Sequence, residues 1–291
     1  MELTHIATRA GRLSSFLRGE LQMSSGLMNK LKWGDAIRVN GAPQHTNFPI
    51  SPGDVICVLL PDELPDYPAE PGELTVLYED EWLIAVDKPA GMLIHPSHSC
   101  NTGTLANRVL GHYLQNGEKA LFHPITRLDR DTFGVVLIAK NAHISQLLQA
   151  GRMEKIYHAV TCGGPQTDEG IIDAPIARKP LPSLLREIRE DGKPSVTHYC
   201  VLERSDVLCK LELQPITGRT HQLRLHCAHM GFPILGDPQY NTAESAALSE
   251  KLGLSTQLLC AAQLTFPHPV SAQMLTVCSK LCPEINTEYE K

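Results

Sequence analysis

Apolar residues recur at helical spacing twice near the start of the chain, at Leu13, Phe16, Leu17 and Leu21 and again at Leu27, Met28 and Leu31. Each set draws one stripe along one face, the mark of an amphipathic helix. Gly34 ends the second helix, and residues 36–41 read as a strand entering an Asn-Gly turn. Pro52–Gly53–Asp54 makes another turn before a strand over 55–60. The periodicity then stops. Residues 61–72, PDELPDYPAEPG, combine prolines with carboxylates and predict an extended, solvated linker. The domain boundary falls there, with 1–60 on one side and 73–291 on the other.

Beyond the linker the pattern predicts strands over 74–78 and 82–86, a helix over 104–114 and a helix over 141–149. Between the helices runs Val135–Val136–Leu137–Ile138–Ala139, apolar throughout, short and rich in β-branched residues, so a buried strand. Further strands are predicted at 155–160, 195–202, 207–213, 258–266 and 274–279, with His268–Pro269 as a turn. Residues 175–191, first Pro-rich and then charged, read as a surface loop carrying Arg178, Lys179, Arg186 and Arg189. Residues 217–230, TGRTHQLRLHCAHM, have helical composition with Thr217 in the N-cap position. Many strands with few helices give an α+β class built on a large, mainly antiparallel sheet.

Composition narrows the function classes. No stretch approaches the roughly 18 apolar residues of a membrane span, and the N-terminus lacks the apolar core of a secretion signal. Nine cysteines without a CxxC pair read as reduced, mostly buried thiols of a cytoplasmic protein. The net charge of −6 argues at first against a nucleic-acid partner. However, eight carboxylates crowd residues 62–81, where no Lys or Arg stands, and the rest of the chain is near +2 without them. Affinity for RNA follows a local basic face, so the total excludes nothing.

Candidate chemistry concentrates in residues 123–140, HPITRLDRDTFGVVLIAK, a polar loop feeding the buried strand. Arg127 and Arg130 bracket Asp129, with Asp131 and Thr132 following. By itself this reads as an Asp–Arg pair pinning a turn. Together with Asp87–Lys88–Pro89–Ala90–Gly91, Lys155–Ile156–Tyr157 and residues 217–224, TGRTHQLR, it resembles the RluA-type family of RNA pseudouridine synthases, whose motifs stand in the same order. The resemblance covers about residues 73–285 and implies a bent central sheet with a cleft across its face. It implies that Asp129 is the catalytic carboxylate, Tyr157 lies against the flipped base, Arg127 fills the space the base leaves, and Arg219 pairs with Asp129. Residues 1–60 resemble the S4 RNA-binding module, although Ser24–Ser25–Gly26 lacks the basic residue common after its helix-start serine. Further RNA contacts are expected from Arg130, Lys88 and Arg224, and from Arg12, Lys30 and Lys32 in the S4-like part. The chain departs from the family pattern at Thr126, where His is usual, at Phe133, where Ser is usual, and at Cys260, where His is frequent.

The resemblance implies isomerisation of uridine to pseudouridine in structured RNA, rRNA or tRNA. That reaction breaks the N1–C1′ bond, turns the base and joins C5 to C1′. A carboxylate can serve it by stabilising an oxocarbenium-like centre, by attacking it, or by taking a proton from the sugar. A glycoside hydrolase needs a second carboxylate, for which Asp131 is the nearby candidate. A catalytically silent RNA-binding or ribosome-assembly factor would keep the S4-like part and lose the reactive groups. No metal is expected: His95 and His98 have no third ligand nearby, and His221, His226 and His229 fit one helical face poorly. No phosphate-binding glycine loop calls for a cofactor. The chain is expected to be a monomer, with no membrane partner.

Overall fold

The helical stripes of the first sixty residues close over a small sheet with a core of its own. In the computed structural model, which describes residues 1–61, 65, 67–97, 100–183 and 185–285, β1 (Glu2–Ile6) and β2 (Gly11–Arg12) lead into α1 (Leu13–Gly19) and α2 (Ser25–Leu31). Then come β3 (Ile37–Val39), β4 (Ala42–Pro43), β5 (Pro49–Ile50) and β6 (Val55–Leu59). The sheet order is β1-β6-β3-β4, with β2 and β5 paired separately. Ser24 caps α2 by accepting the Leu27 N–H at 3.2 Å, and Asn40–Gly41, both at positive φ, make the β3–β4 turn. Leu13, Phe16, Leu17, Met28 and Leu31 pack on Ile37, Ile56 and Val58. Part of the predicted linker, and His98, lie outside the described residues.

The second unit holds β7 (Thr75–Glu79), β8 (Leu83–Lys88), α3 (Leu105–Gln115), β9 (His123–Pro124), β10 (Phe133–Ala139) and α4 (Ala142–Ala150). It continues through β11 (Glu154–Cys162), β12 (Glu169–Asp173), β13 (Ile176–Arg178), β14 (Arg186–Ile188), β15 (Val196–Arg204) and β16 (Leu208–Pro215). The last elements are α5 (Gln222–His229), α6 (Ala243–Lys251), β17 (Leu259–Pro267) and β18 (Met274–Cys278). Among the described residues the large sheet runs β12-β15-β16-β11-β17-β10-β8-β7, with β18 on β17 and β9 on β10. Its pairings are antiparallel except β10 with β17, so the expected mainly antiparallel α+β fold holds.

The apolar run of β10 has a two-sided reason. Val136 and Ile138 join Ile84 and Val86 under α3, whereas Val135 and Leu137 join Leu83 and Ala85 under α4. A strand buried on both faces has no polar alternation to show. At its start Gly134 has φ +108, and a Cβ there would lie 2.4 Å from the Ala261 carbonyl oxygen. Glycine is what lets β10 and β17 approach so closely.

Two expectations need correction. Residues 175–191 are not a plain loop, because β13 and β14 form a hairpin within them. The helix expected from Thr217 starts at Gln222, because residues 217–222 satisfy one another. Thr217 Oγ1 donates to Gln222 Oε1 at 2.8 Å, as does the Arg219 N–H at 3.0 Å, and His221 has left-handed backbone, φ +58. Among elements of five residues or more, β1, β12 and α6 were not predicted.

Candidate active site

A cavity of about 510 Å³ opens where the β9–β10 loop, β11 and the residues before α5 meet. Asp129 sits in that loop with its side chain one-third exposed. The loop is held from several sides. Thr126 Oγ1 accepts the Leu137 N–H at 2.9 Å, which seals β10 where the loop leaves it. The Thr132 N–H returns to the Asp129 carbonyl at 3.2 Å, and Gln257 Nε2 donates to Thr132 Oγ1 at 3.0 Å. Lys88, fully buried at the end of β8, donates to the carbonyls of Pro89, Met92 and Arg130, each at 2.9 Å. Its three N–H groups thus tie the loop after β8 to the loop of Asp129. Burial pulls Lys88 down to about 8, and the charges of Asp131 and Asp129 offset part of that.

Arg224, in the first turn of α5, connects this loop to the segment after the helix. Its guanidinium grips buried Asp237 through Nε at 2.6 Å and Nη2 at 2.7 Å, reaches Gln239 Oε1 at 3.0 Å, and donates through Nη1 to Asp129 Oδ2 at 3.3 Å. A planar fork suits this division between two carboxylates. Burial would raise the Asp237 carboxyl, but Arg224 and the backbone N–H groups of Gln239 and Tyr240 hold it below its usual range. Arg224 also lies over the Tyr240 ring, 5.1 Å from its centre.

Tyr157 on β11 lines the cavity, its phenol pushed up to about 12 by burial and then by the Asp129 charge, so it is neutral. Arg127, Lys155 and Arg219 also line it. Burial draws the Lys155 ammonium below its ordinary value. His221 completes the wall, its Nε2 3.8 Å from Asp129 Oδ2. Among the described residues Asp129 is the single carboxylate lining this cationic cavity. Asp131 instead faces Arg130, at 3.0 Å from its Nε, which removes the second carboxylate a glycoside hydrolase would use. Among the described residues no group of His, Cys, Asp and Glu could hold a metal ion.

The family model described as RNA pseudouridylate synthase matches residues 82–229, half of the chain. The chain belongs to this family. It is an RNA pseudouridine synthase, an isomerase, and its substrates are RNA, as the motifs resembling the RluA-type members implied. Among its relatives, the uncharacterized RNA pseudouridine synthase YlyB of Bacillus subtilis is 39% identical over 240 residues, 79% of this chain and 77% of the relative. The ribosomal large subunit pseudouridine synthase D of Nitrosomonas europaea is 37% identical over 213 residues, 71% of this chain and 62% of the relative. The solved structure of human RNA pseudouridylate synthase domain containing 1 is 27% identical, with a TM-score of 0.59 over 74% of this chain and 86% of that one.

In the synthase, Asp129, Tyr157, Arg127 and Arg219 line the cavity together. The pairing of Asp129 with Arg219 is corrected. Arg219 is exposed, its Nε donates to the Pro194 carbonyl at 3.3 Å, and the cation on Asp129 is Arg224. Two expected RNA contacts are corrected with it: Lys88 and Arg224 are buried and committed to protein acceptors. Arg130 is exposed beside the site, and Arg12 and Lys30 are exposed on the N-terminal unit. Lys32 lies 5.3 Å over the ring of Trp33, which is 77% exposed. Of the nine free cysteines only four are buried, fewer than expected. Asp237, Gln239 and Tyr240 were not foreseen. Their signal was the run Asp237–Pro238–Gln239–Tyr240, a polar cluster just beyond an arginine-bearing helix.

Proposed function

We propose that Asp129 is the carboxylate that acts on the ribose of the target uridine. What carries this reading is that, among the described residues, Asp129 is the one carboxylate facing a cationic cavity, held there by a buried arginine. Uridine and pseudouridine are isomers, so the reaction needs no net oxidant or water. The N1–C1′ bond breaks, the base turns, C5 joins C1′, and the C5 proton leaves as N1 gains one. A carboxylate held in place by Arg224 serves the centre at C1′, or its neighbouring proton, throughout. Neutral Tyr157 offers a flat surface for the extruded base. Arg127, exposed at the mouth, is positioned to stack where the base had been, which offsets an extrusion cost of a few kcal/mol.

Relatives named for the large ribosomal subunit support structured rRNA as the substrate, with tRNA as the other candidate. Exposed Arg12, Lys30 and Trp33 support residues 1–60 as an RNA-binding, S4-like unit. The cytoplasm is the proposed site of action. No helix among the described residues is long and apolar enough to cross a membrane.

Asp129→Asn tests the central assignment. The change is nearly isosteric, so RNA binding and melting temperature should hold while pseudouridine formation, read by chemical mapping, disappears. An active variant would remove Asp129 from the mechanism. A chain beginning near Glu73 should lose affinity more than turnover at saturating RNA, and unchanged affinity would deny the N-terminal unit its role. Mapping pseudouridines in a host lacking the protein identifies the RNA.

A further inference from the structure

His221 belongs to the matched motif, yet no step above employs it. Its position is costly to maintain. It stands at φ +58 and ψ +19 immediately before α5, a left-handed backbone that raises the energy of a non-glycine residue. The surroundings enforce it. The Gln222 side chain accepts from Thr217 and Arg219 and donates to the Val196 carbonyl and Thr197 Oγ1, both at 3.0 Å. The result is an imidazole turned into the cavity wall beside Asp129.

The protonation of that ring follows from its neighbours. Nδ1 lies 2.9 Å from the Tyr240 hydroxyl, and that hydroxyl oxygen accepts the Arg186 N–H at 2.8 Å. With its oxygen engaged, the phenol satisfies both groups by donating its own proton to Nδ1. The neutral ring then carries its hydrogen on Nε2. Among the described residues Nε2 has no hydrogen-bond partner, and Asp129 Oδ2 at 3.8 Å is too far for one. The N–H is thus aimed into the cavity, beside the carboxylate.

We propose that His221 acts as a neutral imidazole whose Nε2–H donates to an oxygen of the target nucleotide while Asp129 engages the ribose. The assignment rests on Asp129 being the catalytic carboxylate. The surroundings of the ring, burial foremost, favour the neutral form. Burial lowers the pKa of His221, Asp129 on the β9–β10 loop opposes this, and Arg224 on α5 and Arg186 on β14 add to it, with Asp237 beyond them opposing. Charging the ring would also turn the Tyr240 proton away from Nδ1. It would place a cation against Asp129, drawing the carboxylate off the ribose. Activity should therefore fall on acidification through a pKa below the ordinary histidine value of about 6.5.

Two substitutions make opposite demands. Gln places an N–H where Nε2 was but fits left-handed backbone poorly. Asn fits that backbone well and reaches only the Nδ1 position, where its oxygen can still accept from Tyr240. If His221 mattered only for backbone and packing, His221→Asn would be the better enzyme. As a donor, His221→Gln should keep most of the single-turnover rate and lose the acid limb. His221→Asn should fall by roughly 10- to 100-fold at unchanged melting temperature. Asn equal to or faster than Gln, or an acid limb that persists in Gln, overturns the proposal. Should His221→Gln fail to fold, Tyr240→Phe carries the test. It frees the ring proton to move to Nδ1, so the rate should drop and the acid limb shift. No change in either overturns the tautomer assignment. Asp129→Asn run in parallel separates the readings: activity there removes the carboxylate role, whereas an inverted Gln–Asn order with Asp129→Asn inactive removes only His221.

Discussion

Replacing Arg224 by lysine keeps a cation in the same cleft and removes only the fork, so it measures what the fork contributes. The guanidinium makes four side-chain hydrogen bonds: two to Asp237, one to Gln239 and one to Asp129. An ammonium on a shorter reach satisfies Oδ2 of Asp237, whose donor is Arg224 Nε, and leaves Oδ1 to the backbone N–H groups of Gln239 and Tyr240. Hydrogen bonds to charged groups contribute about 1.5–3 kcal/mol each. Four bonds are lost and one is remade, but Oδ1 keeps its backbone donors and the Asp129 contact is long, so the net destabilisation is about 2–4 kcal/mol. For a unit of this size that lowers the melting temperature by about 5–15 °C. Asp129 has the longest of the four bonds, so it is the contact a lysine drawn to Asp237 gives up. Single-turnover pseudouridine formation at a temperature where the variant is folded should fall by roughly 10- to 100-fold. Thermal unfolding and rapid-quench assays on one preparation read both numbers. A melting temperature within a degree of the parent's would refute the stabilising role of the fork. A lower melting temperature with an unchanged rate would confine Arg224 to the fold and detach it from Asp129.

Lys88 should give the synthase an alkaline limb: its pKa is about 8 when folded against about 10.5 unfolded. The unfolded chain binds more protons between those values, so this group makes stability rise with pH across that window. The neutral amine, however, has one donor fewer and slackens its hold on Arg130. Denaturant unfolding and turnover from pH 7 to 9.5 should diverge in the parent and lose both dependences in Lys88→Met; parent turnover that stays flat sinks the idea. Arg127→Ala should slow a folded RNA more than an unfolded oligonucleotide bearing the same uridine, since extrusion costs little in the latter. Equal losses on both would leave Arg127 as a phosphate contact.

What the sequence disclosed follows from which forces are local. The helices that begin near Thr104 and Asn141 and the apolar run of β10 announce themselves because helical periodicity and two-sided burial act within a few residues. The start of α5 did not, since Thr217 looks like a cap until Gln222 is seen to bond it from the side. That displacement explains the exchange of Arg219 for Arg224. A motif with two arginines five residues apart does not say which one the helix turns inward. Lys88 was misread because a lysine gives no sequence sign of three carbonyls waiting for it. The β13–β14 hairpin is hidden by prolines and charges that suit a loop equally well. Asp237 and Tyr240 stand in a polar run that the sequence displays, but tertiary packing is what brings that run to Arg224.

The fastenings of the Asp129 loop reach across the chain: Lys88 binds it from 42 residues away, Arg224 from 95 and Gln257 from 125. Contacts of such separation form slowly, because the ends of long loops must meet before any bond rewards them. A chain released while its last strands are unpaired lacks Gln257, and one stalled before α5 lacks Arg224 as well. On the roles proposed above, such partly folded forms can present the basic N-terminal residues to RNA while having no ordered carboxylate to act on it. Competence to modify should therefore appear in a single late step during refolding, after most secondary structure has formed. The loop would then act as a built-in check that only completed molecules touch the glycosidic bond.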